Sequence, residues 1–93
     1  MALKFKYHPD VKRPDLPKID VKNRDIIKRA IEDRLATQPE TYGKLLRKTL
    51  KGYWKLRVGD YRIVFKVSSN SILIFGIIHR KEVYKLIKKR IEV

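Results

Sequence analysis

From Leu50 to Phe65 the chain reads L-K-G-Y-W-K-L-R-V-G-D-Y-R-I-V-F, two runs of alternating apolar and cationic positions on either side of Gly59-Asp60. A period of two is the signature of a strand with one buried face, and Gly-Asp tolerates the positive φ of a two-residue hairpin turn. The turn sets the register: Val58 opposite Tyr61, Arg57 opposite Arg62, Leu56 opposite Ile63, Lys55 opposite Val64, Trp54 opposite Phe65 and Tyr53 opposite Lys66. One face then carries Trp54, Leu56, Val58, Tyr61, Ile63 and Phe65, and the other carries Tyr53, Lys55, Arg57, Arg62, Val64 and Lys66.

The same reading extends in both directions. Leu3 to Tyr7, L-K-F-K-Y, predicts a half-buried first strand with Leu3, Phe5 and Tyr7 inward, ending at His8-Pro9-Asp10, where His8 reads as a strand-end or capping residue. Pro14 and Pro17 predict a broken helix between Asp10 and Asp20, with Asp10 and Asp15 each placed to begin a short turn. Asp20 or Asn23 caps the next element, whose Ile27, Ala30, Ile31 and Leu35 recur at helical spacing through about Ala36, with Lys28, Arg29, Glu32 and Asp33 outward. Residues 37–43 are punctuated as a loop, and Ser68-Ser69-Asn70 as a second turn. Ile72 to Ile78, I-L-I-F-G-I-I, has no polar side chain and predicts a central strand covered on both faces, with Gly76 marking a bulge or a close backbone approach. Val83, Leu86, Ile87 and Ile91 predict a terminal helix beginning near Arg80 or Lys81, with Arg80 and Tyr84 on one face of its first turn.

Composition then narrows the partners. Ninety-three residues make one domain, 1–93, and 24 Lys plus Arg against 10 Asp plus Glu leave a net charge of +14. Such an excess calls for a polyanion, nucleic acid first and an acidic protein second. A membrane surface is disfavoured because the cations are spread through core-bearing elements rather than gathered in one amphipathic anchor. The chain has no cysteine, and His8 and His79 are too far apart to suggest a metal site, so no cofactor is expected. No apolar run is long enough for a signal peptide or a membrane span, and a cytoplasmic location is expected.

The cationic hairpin face is the candidate for chemistry. Arg57 directly opposite Arg62, with Lys55 alongside, costs stability unless the side chains splay into water or an anion sits among them. Tyr53 is interleaved with them. Lys44, Arg47, Lys48 and Lys51 lead into the hairpin and read either as a solvated linker or as a continuation that tracks phosphates. Tyr84, beside an apolar stripe, reads by itself as a partly buried aromatic.

The run G-Y-W-K-L-R-V-G-D-Y-R-I-V-F, followed by a hydrophobic strand and then H-R-K-E-V-Y at residues 79–84, resembles the RelE branch of the RelE/ParE toxins of bacterial and archaeal toxin–antitoxin pairs. The likeness takes in the opening F-K-Y-H-P-D and the capped helix before Q-P-E. It implies an α+β domain in which N-terminal helices pack on a twisted, mainly antiparallel four-stranded sheet, with a C-terminal helix beyond the last strand. It also implies a metal-independent endoribonuclease that cleaves mRNA in the ribosomal A site by attack of a ribose 2′-hydroxyl on the neighbouring phosphate.

Carried onto this chain, the resemblance makes Lys55 the group that activates the 2′-hydroxyl, and has Arg57 and Arg62 hold the phosphate. Arg80 then serves the leaving oxygen and Tyr84 stacks on or orients a base, with His79 a rival proton donor. Where the best-known pattern has two lysines on the first hairpin strand, this chain has Lys55 and Arg57. Tyr53, Lys44, Arg47, Lys48, Lys51, Lys66, His79 and Lys81 are the expected RNA contacts. The implied partners are the ribosome, mRNA and an acidic antitoxin that wraps the basic surface. Two other functions remain open: a ParE-like inhibitor of DNA gyrase, which shares the fold, and a non-catalytic RNA-binding module.

Overall fold

A computed structural model describes residues 4–35, 44–45 and 52–92. Five strands, β1 (Lys4–Tyr7), β2 (Lys44–Leu45), β3 (Tyr53–Val58), β4 (Tyr61–Val67) and β5 (Ser71–His79), form one sheet in the order β1-β5-β4-β3-β2. The four longer strands are those expected from the sequence, and the two-residue β2 adds to the outer edge of β3. All neighbours are antiparallel except β1 and β5. Helix α1 (Val21–Ala30) runs on into a wider-wound turn, Ile31–Leu35, and α2 (Val83–Glu92) closes the described chain.

Local chemistry accounts for the boundaries. Gly59 takes φ +59 in the hairpin turn, and all six β3–β4 pairs follow the register that this turn dictates, including Arg57 opposite Arg62. Arg13 is extended (φ −150, ψ 128) because the proline after it excludes the helical region, so the 10–20 segment breaks into two short turns, Val11–Asp15 and Leu16–Lys18. Asp20, not Asn23, caps α1: its carboxylate accepts from the Asn23 backbone N–H at 3.4 Å and from the Asn23 amide at 2.6 Å. Helix α2 begins at Val83 rather than near Arg80, since residues 80–82 form a turn in which the Glu82 N–H donates to the His79 carbonyl at 2.9 Å.

The sheet is buried on both sides. Ile27, Ile31 and Leu35 pack with Leu56, Ile63, Phe65, Ile72 and Ile74 on one face, while Val83 and Ile87 of α2 pack with Tyr53, Val64 and Ile78 on the other. That double cover is why β5 has no polar position over its apolar run. Val64 pairs with Gly76 but Phe65 with Ile74, so Phe75 is the extra residue of a bulge, and Ile77 and Ile78 serve opposite cores. Tyr7 departs from expectation. It is 53% exposed, because β1 is an edge strand and Tyr7 sits at the rim of an apolar groove of about 390 Å³ shared with Val11, Leu16, Ile27 and Ile31. Phe5 does pack on the core, and Leu3 lies outside the described residues.

Candidate active site

Four segments bring five side chains to the α2 side of the sheet. Lys55 and Arg57 alternate along β3, Arg62 faces Arg57 from β4, and Arg80 follows β5 in the turn before α2. The first turn of α2 then sets Tyr84 over Lys55: the Lys55 ammonium donates to the Tyr84 hydroxyl at 3.3 Å and lies 5.5 Å from the ring centroid. This contact spans 29 positions of sequence and exists only because α2 folds back on the hairpin.

The three arginines share one electrostatic neighbourhood. Burial pushes the Arg62 guanidinium below its ordinary range, and Arg57 and Arg80 push it further, against an opposing pull from Asp60. Arg62 also folds back over the turn, its Nη1 donating to the Gly59 carbonyl at 3.1 Å and to the Tyr61 carbonyl at 3.0 Å. Asp60 ties Arg80 to the same corner: the Arg80 N–H donates to its carbonyl at 2.8 Å, and Arg80 Nε lies 3.8 Å from its Oδ1. Sequence reasoning saw Asp60 only as a turn residue, although its place beside Arg62 was the available signal. The result is a cluster of three guanidiniums joined by an ammonium–phenol pair, suited to holding a phosphodiester and moving a proton beside it.

The remaining expected contacts divide. Lys66 is exposed on this face, with its Nζ 5.4 Å from the Tyr53 ring centroid, and Lys81 is exposed in the turn after Arg80. Tyr53 is not a free stacking surface: only 9% exposed, it sits in the second core edge-on to Phe75, ring centroids 5.1 Å apart. The alternation of a strand sends His79 to the far side from Arg80, where its ring meets Tyr61 at 5.7 Å and its Nδ1 accepts from the Lys81 N–H at 3.2 Å. Tyr61 and His79 line a cavity of about 280 Å³ with Lys18, Glu82 and Leu86, and none of the five residues above borders it. Lys44 pairs with Lys55 through β2, while Arg47, Lys48 and Lys51 lie outside the described residues.

A second polar cluster was not anticipated. Asp15, 5% exposed, accepts from the Ile77 N–H at 3.0 Å and from both terminal nitrogens of Arg90. Arg90 also donates to the Phe75 carbonyl at 3.1 Å, and its Nε lies 3.3 Å from Asp10. The sequence showed Asp15 only as a turn former and Arg90 only as one of many cations. Among the described residues no three His, Asp or Glu side chains gather as a metal site, and no helix is long and apolar enough to cross a membrane.

Comparison with known proteins agrees with this architecture. Residues 6–84 match the family model described as the ParE toxin of the type II toxin–antitoxin system parDE. No curated protein matches. Among solved structures, the toxin–antitoxin complex RelBE2 of Mycobacterium tuberculosis contains a chain with 23% identity and TM-score 0.76, covering 86% of this chain and 100% of that one. The RelB–RelE antitoxin–toxin complex of Methanococcus jannaschii gives 24% identity and TM-score 0.68 over 87% and 96% of the two chains. A conserved hypothetical protein of Helicobacter pylori gives 14% identity and TM-score 0.67 over 87% and 98%. At these identities the neighbours speak to fold, whereas the family match spans most of the sequence: the chain belongs to the ParE toxin family of type II toxin–antitoxin systems, within the RelE/ParE superfamily.

Proposed function

We propose that this toxin is an endoribonuclease acting on ribosome-bound mRNA. The observation that carries the reading is the Lys55–Tyr84 hydrogen bond beside the Arg57–Arg62–Arg80 cluster. A gyrase-binding surface has no need of an ammonium–phenol pair next to three guanidiniums, whereas transesterification of RNA uses both. A bond forms between the ribose 2′-oxygen and phosphorus as the bond from phosphorus to the 5′-oxygen breaks, leaving a 2′,3′-cyclic phosphate and a 5′-hydroxyl end. Lys55, in its neutral form, takes the 2′-hydroxyl proton. The Tyr84 hydroxyl keeps Lys55 in place in either state, since a phenol donates to an amine and accepts from an ammonium. Arg57 and Arg62 hold the non-bridging oxygens as negative charge builds on phosphorus. Arg80 stabilises the departing 5′-oxygen, which is protonated from water. Lys66 and Lys81 extend the cationic surface along the RNA. His79, on the far side of the sheet, takes no part.

The partners follow from charge and kinship. A net charge of +14 favours an acidic antitoxin on the basic surface, and two structural neighbours are toxins solved with their antitoxins. The second reading, inhibition of DNA gyrase, is favoured by the ParE description of the family model. Two assays separate the readings. Nuclease action predicts arrest of a cell-free translation reaction and new 5′-hydroxyl ends on ribosome-bound message, with gyrase supercoiling unaffected. Blocked supercoiling with translation intact would transfer the assignment to gyrase.

A further inference from the structure

We infer that Arg90 is a positioning residue: it sets where α2 lies on the sheet and so holds Tyr84 against Lys55, an inference that rests on the nuclease reading above. Helix α2 meets the sheet through Val83 and Ile87, apolar contacts that have no directional preference and allow a helix to slide or turn. Besides the Lys55–Tyr84 bond, a directional tie stands at the other end. Six residues beyond Tyr84, about 9 Å along the helix, the Arg90 guanidinium meets acceptors from two separate parts of the chain. Those acceptors are the Asp15 carboxylate, bound by two nitrogens, and the Phe75 carbonyl. A bidentate guanidinium–carboxylate pair fixes angle as well as distance.

The surroundings are shaped for this contact. The β1 ladder ends where the His8 N–H donates to the Ile74 carbonyl, and from there the Asp15 side chain takes over the edge of β5 by accepting from Ile77. The bulge at Phe75 coincides with the carbonyl that Arg90 uses. Gly76 leaves the path open, since a Cβ there would lie 2.6 Å from Arg90 Nη1. Bulge, glycine and buried aspartate thus serve one side chain, and Tyr84 is the site residue carried by the helix that it anchors.

The test uses the full-length chain on ribosome-bound message. Arg90→Lys removes the bidentate geometry while keeping the charge. The pair Asp15→Asn with Arg90→Gln replaces the ion pair by neutral groups, so that no buried charge is orphaned if Arg90→Lys fails to fold. In both, single-turnover cleavage is expected to fall about tenfold or more while ribosome affinity stays within about twofold. In a Tyr84→Phe background the same changes are expected to cost less than about twofold, because their effect passes through that hydroxyl. Backbone amides of α2 should exchange faster than in wild type, while those of β3 and β4 keep their wild-type protection. Losses that multiply across the two backgrounds, or α2 protection equal to wild type, would overturn the inference. If the wild-type chain cleaves nothing, the nuclease reading fails, and exchange in α2 then decides alone: faster supports the anchor, unchanged removes it.

Discussion

Arg57 and Arg62 oppose each other on the sheet, an arrangement that a chain selected for stability alone would avoid. Arg57→Gln is therefore expected to stabilise the free protein by about 0.5 kcal/mol, seen as a higher Tm, while lowering RNA cleavage. That opposition of effects is the mark of a residue kept for binding; a Tm that fell would mean the pair is screened or bridged. The Lys55–Tyr84 bond predicts a different pattern. Lys55→Met is expected to reduce the single-turnover rate by roughly 10²–10⁴-fold with little change in ribosome affinity, as loss of a proton acceptor should. A loss confined to affinity would reduce Lys55 to a phosphate contact. Asp60, the carboxylate at this cluster, restrains Arg80 and tempers the field on Arg62.

The elements that present these residues rest on a few local choices. Gly59→Ala forces a Cβ into the left-handed region at φ +59, and about 1 kcal/mol of stability is expected to go with it although the space around is open. Denaturant midpoints would show it. Asp20 holds the start of α1, and its carboxyl is pushed below the usual range, chiefly by the hydrogen bond from the Asn23 side chain. A folded pKa lower than the unfolded one contributes stability above about pH 4 and loses it as pH falls through the folded value. Asp20→Ala should therefore lower Tm at neutral pH, with the gap to wild type closing in acid; a gap that persisted at pH 2 would mean the cap acts by shape alone. Gly76→Ala sets a Cβ against Arg90 Nη1, Ile78 and Ile87 at 2.6–3.0 Å, and the clamped guanidinium cannot swing away freely. About 1–3 kcal/mol is the expected cost of such overpacking.

At the scale of the molecule, two cores share one sheet, and the smaller one under α2 supports the site. Periodicity, capping residues and turn chemistry are local, and so by itself the sequence determined the hairpin and its register, the capped helix with its inward stripe (though not which of Asp20 and Asn23 caps it), the doubly covered β5 and the common face of Lys55, Arg57 and Arg62. It also carried the family likeness. What it left open were matters settled between elements. The seat of α2 on the cationic face joins Tyr84 to Lys55, the depth of the second core takes Tyr53 out of solvent, and the side of the sheet on which β5 ends sends His79 away from the arginines. The Asp15–Arg90 pair, 75 residues apart, was invisible for the same reason. Alternation and helical period report which way a side chain points relative to its neighbours in the chain. Which distant group meets it is decided by packing, where burial and charge pairing across the sheet select one arrangement among many that share the same pattern.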